Sequence, residues 1–274
     1  MAQYKLAFLG TGNMGGALVA AAANGGHGAE CILANRTPQK ALELARQYGC
    51  AVAETNVQAA QQAEYIMLGV KPQMMAGLLA EIAPVLQKRK AEADPFCLVS
   101  MAAGLSVARL AEMAGVECPI VRIMPNTPCA IGKGMTLVVK NESASEAQAK
   151  EVCALLAAAG EFDRIDESLM DAGSVISGCV GAWVQMFMEG LADGAVEAGI
   201  PRLKAQKYAA GAVMGAAALA LESGRHPGQL KDEVCSPAGS TIAGVHALER
   251  AGLRGAAMDA VAAAFARTKE MGKK

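Results

Sequence analysis

This chain has no excess of charge of either sign. Lys and Arg total 25 against 26 Asp and Glu, a formal net charge of -1. The cations are scattered, which argues against a nucleic-acid surface and against a polybasic patch for membranes. Histidines are few, and the three present (His27, His226, His246) lie far apart. None of the eight cysteines forms a C-x-x-C pair. No metal site is therefore expected, and the thiols read as reduced and buried, as in a cytoplasmic protein. The N-terminus runs straight into "YKLAFLG", with no basic region ahead of a long apolar one, so no signal peptide is expected. The apolar stretch Tyr208 to Leu221 is short and rich in Gly and Ala, a poor membrane span. Low-complexity linkers and internal repeats are absent as well.

What the chain does have is apolar bulk: 53% hydrophobic residues against 19% charged, the balance of a well-cored globular protein. Its two halves differ. Over residues 1–165, short apolar runs alternate with helical patterns. The runs are Tyr4–Leu9, Cys31–Ala34, Tyr65–Gly69, Phe96–Ser100, Ile120–Met124 and Gly134–Lys140, with a last strand in "EFDRI". The helical patterns include Asn13–Asn24, Pro38–Tyr48, Ser106–Met113 and a stretch near Ser145–Ala158. This alternation predicts an α/β domain, a parallel sheet with helices on both faces.

Strand signals stop at Asp166. Over residues 166–274 the stretches Ser177–Ala198, Arg202–Leu221, His226–Val234, Ser240–Arg250 and Leu253–Met271 all read as helices. Segments such as "YAAGAVMGAAALALE" are apolar on most sides, and small residues let helix axes approach closely. Either this half is a self-sufficient bundle or its faces are covered by a second copy. The second reading is adopted: an all-α C-terminal dimerisation domain following a Rossmann-type dinucleotide-binding domain.

The stretch "FLGTGNMGGAL" places Gly10, Gly12 and Gly15 after the first strand and at the start of a helix. The first glycine permits the tight turn, the second lets the backbone approach a pyrophosphate, and the third lets helix and strand pack closely. Free N–H groups of the helix start then face the phosphates. An NAD site carries an acid about 20 residues further on, for the ribose 2′-hydroxyl. Here that place holds Asn35 and Arg36. An arginine can pair with a 2′-phosphate that an acid would repel, so NADPH is expected, with NADH possible; the plainer alternative is a solvated helix-start arginine. "GVKPQ", "SMAAGLS" and "RIMPNTP" each follow a strand at the edge where such sheets bind ligands. Lys71 is placed there to reach the cofactor, unless it is an ordinary surface lysine.

Near the C-terminus, "CSPAGSTIAG" joins small residues and hydroxyls to a helix starting near Ser240. Free N–H groups there suit one carboxylate. Alternatively, Ser240 or Thr241 merely caps the helix.

With "GTGNMG", "VKPQ", "AAGLS", "MPNTP", "LADGAVEAGIPR", "HPGQLKD" and "SPAGSTIAG" in this order, the chain resembles the Δ1-pyrroline-5-carboxylate reductases over nearly its whole length. The resemblance implies an NAD(P)H-dependent imine reductase that completes proline biosynthesis. It implies C-terminal domains intertwined in a homodimer, and in many members a decamer. Carried onto this chain, it gives as cofactor contacts Gly10, Thr11, Gly12, Asn13, Met14, Gly15, Asn35, Arg36, Asn56, Val70, Lys71, Pro72 and Ala103. It gives as substrate contacts Glu167, Ser236, Gly239, Ser240 and Thr241, with Ser240 and Thr241 at the reaction centre. For Glu167, a plain first-turn acid is the competing reading. Three departures stand out. "SGCVGAW" (residues 177–183) replaces Ser-Gly-Ser-Gly-Pro-Ala-Tyr, Ala238 replaces a glycine, and Glu233 replaces an amide found in some members. They leave room for a related cyclic imino or keto acid as substrate, or for a homologue that binds NADPH without turnover.

Overall fold

The computed structural model describes residues 2–271. Strand β1 (Tyr4–Leu9) sends Leu6 and Phe8 into one core and Ala7 and Leu9 into another, all four fully buried. β4 (Ala63–Leu68) does the same with Tyr65 and Met67 against Ile66 and Leu68. A sheet covered on both faces needs apolar residues at every position, which is why these strands read as unbroken apolar runs.

The other strands are β2 (Cys31–Ala34), β3 (Ala51–Val52), β5 (Cys97–Ser100), β6 (Ile120–Met124), β7 (Gly134–Lys140) and β8 (Gly160–Arg164). They form one eight-stranded sheet in the order β3-β2-β1-β4-β5-β6-β7-β8. One core packs under α1 (Asn13–Ala22), α2 (Pro38–Tyr48) and α6 (Glu146–Leu155). The opposite core packs under α3 (Asn56–Gln62), α4 (Met75–Ala91) and α5 (Val107–Ala114). The expected all-parallel sheet is corrected at one strand: β7 runs antiparallel to β6. Only the segment 125–133 joins the two, and a parallel crossover needs a dozen residues or more. β3, α3 and α4 do not show in the sequence pattern: two residues cannot alternate, α3 is short, and Pro84 stands inside α4.

After β8 comes α7 (Met170–Ser174), followed by a π-helical turn at Val175–Cys179. Buried Met170 packs with Leu137 and Val139 of β7. The chain divides into two compact units, Met1–Gly178 with the chain from Arg267 onward, and Cys179–Ala266. Secondary structure thus changes character at residue 166, whereas packing changes at 178.

The second unit contains α8 (Val180–Glu197), α9 (Arg202–Ser223), α10 (Pro227–Glu233), α11 (Ser240–Arg250) and most of α12 (Leu253–Met271). Its buried apolar residues, among those described, are Ala192, Ala205 and Ala209 at the α8–α9 contact. Large apolar side chains stay exposed in the single chain: Leu203 by 82%, Met214 by 70% and Met258 by 72%. The helical stretch Glu167–Glu197 is also long and apolar enough to cross a membrane by length and composition. Apolar exposure on this scale marks an association surface.

Candidate active site

The strand order reverses between β1 and β4, and that switch point is where an open α/β sheet binds its ligand. Four glycines build it. Gly10 follows β1 with φ +102°, a conformation that side-chain-bearing residues rarely adopt. A Cβ on Gly15 would stand 2.3 Å from the Gly10 carbonyl oxygen, and a Cβ on Gly69, just after β4, would stand 2.3 Å from the same atom. Gly69 therefore belongs to the glycine turn, although the sequence motif does not include it. Gly12 is the exception: a Cβ there meets nothing within 4 Å. The open space over Gly12 is the room a pyrophosphate needs to lie on the backbone.

Helix α1 begins at this spot with Gly12 as its N-cap. No side chain caps it among the described residues, and its first turn, which includes Asn13 and Met14, holds no acidic residue. Its free N–H groups can thus meet an anion. Thr11 lies beside them, its hydroxyl buried and without a partner among the described residues. Asn35, at the end of β2, accepts the Thr11 N–H through Oδ1 at 3.2 Å and donates through Nδ2 to the Thr37 carbonyl at 2.9 Å. The amide therefore ties the two phosphate-side loops together. Arg36 is exposed and forms no ion pair with a carboxylate among the described residues. Its guanidinium is free for a ligand phosphate.

The remaining cofactor candidates spread along the same strand ends. Val70 packs near Gly10, while Lys71 and Pro72 are exposed after β4. Ala103 is exposed in the loop after β5, where Gly104 has φ +73°. Asn56 opens α3 and gives its Nδ2 to Glu81 at 2.9 Å. After β6, Asn126 accepts the Met135 N–H at 3.0 Å and donates to the Ser177 carbonyl at 2.8 Å, which pins the "MPNTP" turn. The segment Asn35 to Thr37 and Asn126 were visible in sequence as polar residues at strand ends; what they bond was not.

Glu167 is held inside the first unit. Its Oε1 accepts the Val107 N–H at 2.8 Å and lies 3.2 Å from Nη1 of Arg122, whose side chain is 4% exposed. From sequence, Glu167 is either a substrate contact, as the family resemblance implies, or a first-turn acid of its own helix. In the structure Glu167 is the first-turn acid of a short 3-10 helix, Glu167–Leu169, and its carboxylate also caps a different helix, α5, and pairs with a buried cation.

Ser236, Gly239, Ser240 and Thr241 lie in the second unit. A turn closes from the Gly239 N–H to the Ser236 carbonyl at 3.0 Å, and Gly239 becomes the N-cap of α11. No side chain caps that helix among the described residues, so the capping role considered for Ser240 and Thr241 is not filled. Both are exposed, with the first N–H groups of an 11-residue helix open beside them. Ala238 takes φ +58°, which explains why a glycine suits that place. Glu233 pairs with Arg225. All eight cysteines are free; burial pushes the thiols of Cys97 and Cys118 up to about 12 and about 11, so both stay protonated.

A glycine turn at the switch point, an uncapped helix start over open backbone and a free arginine after β2 define a Rossmann-type dinucleotide-binding protein. Comparison with known proteins narrows this. A family profile described as "Pyrroline-5-carboxylate reductase dimerisation" matches residues 167–271, and one described as "NADP oxidoreductase coenzyme F420-dependent" matches residues 5–104. Pyrroline-5-carboxylate reductase of Pisum sativum is 37% identical over 98% of this chain and 96% of its own. That of Escherichia coli is 37% identical over 98% of each. A solved Plasmodium falciparum pyrroline carboxylate reductase with NADP bound superposes with a TM-score of 0.84, at 30% identity over 99% of each chain. The Coxiella burnetii structure reaches 0.90 at 28% identity over 98% of each. The chain belongs to the pyrroline-5-carboxylate reductase family. Its helical C-terminal half is a dimerisation domain, which accounts for the exposed apolar helices, and its cofactor is NADPH.

Proposed function

We propose that this chain reduces Δ1-pyrroline-5-carboxylate to L-proline with NADPH, the last step of proline biosynthesis. One observation of the structure supports this reading most: α11 starts uncapped, with Ser240 and Thr241 exposed beside its free N–H groups. That is an anchor for a single carboxylate. A cyclic imine protonates in water near neutral pH and then accepts hydride readily, so the protein needs to orient it more than to acidify it. NADPH, when bound, supplies the hydride. The α1 N-terminus and the open backbone at Gly12 hold its pyrophosphate, and Arg36 holds its 2′-phosphate. The start of α11 holds the substrate carboxylate, with Ser240 and Thr241 as added donors.

The decisive assay follows NADPH loss with pyrroline-5-carboxylate, compared with a six-membered cyclic imino acid. Faster turnover of the five-membered ring is expected. Preference for the larger ring would transfer the reading to a related imine, and binding of NADPH without turnover would end it. We further propose a cytoplasmic enzyme, in keeping with eight free thiols, whose dimers assemble into a decamer. Light scattering at micromolar concentration distinguishes a dimer from the larger assembly.

A further inference from the structure

We infer that Arg122 and Glu167 act as a positioning pair that fixes the loop 101–106 against the nicotinamide end of the cofactor. The inference rests on the reductase reading above.

The loop leaves β5, whose register with β4 sets Ser100 opposite Leu68. Its first residues therefore emerge beside Gly69, at the edge where the glycine turn opens. It carries exposed Ala103 and a left-handed Gly104. Such a loop holds its shape only if both ends are fixed. At the near end, the fully buried Ser100 Oγ accepts the Ala102 N–H at 3.3 Å. At the far end, the start of α5 is capped twice. Ser106 Oγ accepts the Arg109 N–H at 3.1 Å, and Glu167 Oε1 accepts the Val107 N–H at 2.8 Å. The second cap comes from 60 residues further along the chain. Arg122 determines where that carboxylate sits. It is 3% exposed, and its Nε has no partner among the described residues. A guanidinium so buried requires an anion, and Glu167 supplies it.

A purely structural ion pair would affect folding alone. A positioning pair controls where the loop stands against the ring, and a displacement of about 1 Å can lower the chemical rate about 100-fold. Two substitutions release the loop by different routes. Glu167→Gln removes the charge and keeps the side-chain shape. Val107→Pro removes the N–H that Glu167 accepts and leaves the ion pair intact. It suits the site, because proline is favoured at the first helical position and Ser106 already has the extended φ −71°, ψ 161° a proline requires before it.

In the full-length enzyme both variants are measured by circular dichroism, by NADPH titration, by kcat and KM, and with NADPH deuterated at the transferred hydrogen. We expect a wild-type helical spectrum and NADPH Kd within about threefold, since the phosphates are held elsewhere. We expect kcat to fall tenfold or more in both, with a larger deuterium isotope effect on kcat as hydride transfer becomes limiting. Wild-type kcat in either folded variant overturns the inference. So does a rise in substrate KM alone in Glu167→Gln, which would make Glu167 a substrate contact. Loss of fold in both also overturns it, as the pair would then be structural. An inactive wild type would instead count against the reductase reading, so the two failures are distinguishable.

Discussion

The Gly10 carbonyl oxygen is the point against which both Gly15 and Gly69 are fitted; a Cβ on either would stand 2.3 Å from it. Around the Cβ position of Gly12, two residues on, no described residue beyond its chain neighbours comes within 4 Å. The glycines of one motif therefore do different things. Two permit the protein to close on itself, and one permits a ligand to approach.

This separates two substitutions by readout. Gly69→Ala should destabilise the fold by about 1–3 kcal/mol or more, the scale of overpacking against backbone. Gly12→Ala should leave the melting temperature near wild type and weaken NADPH at least tenfold, about 1.4 kcal/mol. Thermal melts and a fluorescence titration check both. An unchanged NADPH Kd in Gly12→Ala would remove the pyrophosphate from this site.

Arg36 lies free after β2, at the place where NAD enzymes carry an acid. Arg36→Asp should weaken NADPH by about 1.5–3 kcal/mol through the lost charge-assisted hydrogen bond, with repulsion adding to it. NADH should be affected far less, because it has no 2′-phosphate. Comparing kcat/KM for the two cofactors tests this, and equal losses would contradict the assignment.

Thr241 does not cap α11, so its hydroxyl contributes little to folding. Thr241→Ala should leave stability near wild type while kcat/KM for pyrroline-5-carboxylate drops about 10- to 150-fold, the range of a lost hydrogen bond to a charged group. A substrate analogue without the carboxylate should show no further loss on the same substitution. Additive losses would place the carboxylate elsewhere.

Ala238 occupies the left-handed region at φ +58°. That conformation costs a side-chain-bearing residue about 1–2 kcal/mol, and glycine gives back about 0.5–1 kcal/mol in backbone entropy. Ala238→Gly should therefore stabilise the protein by about 0.5–1 kcal/mol. Urea denaturation would register it as a higher midpoint at unchanged slope; a lower midpoint would show that Ala238 packs in a way the strain does not outweigh.

Local signals determined much of this protein from sequence alone. The apolar runs of β1 and β4, the glycine spacing from Gly10 to Gly15 and the loss of strand signal at Asp166 each lie within a few residues of chain. Their physical causes, side-chain period and backbone freedom, act at that range. Tertiary structure decided what depends on residues distant in sequence. Gly69 joins the glycine turn only because β4 lies beside β1. Glu167 illustrates the difference most plainly. Its position in a first turn was legible, but its partners are Val107, 60 residues before it, and Arg122, 45 before it. A carboxylate binds whatever donors the fold brings within about 3 Å, and no local pattern encodes a hydrogen bond across that distance.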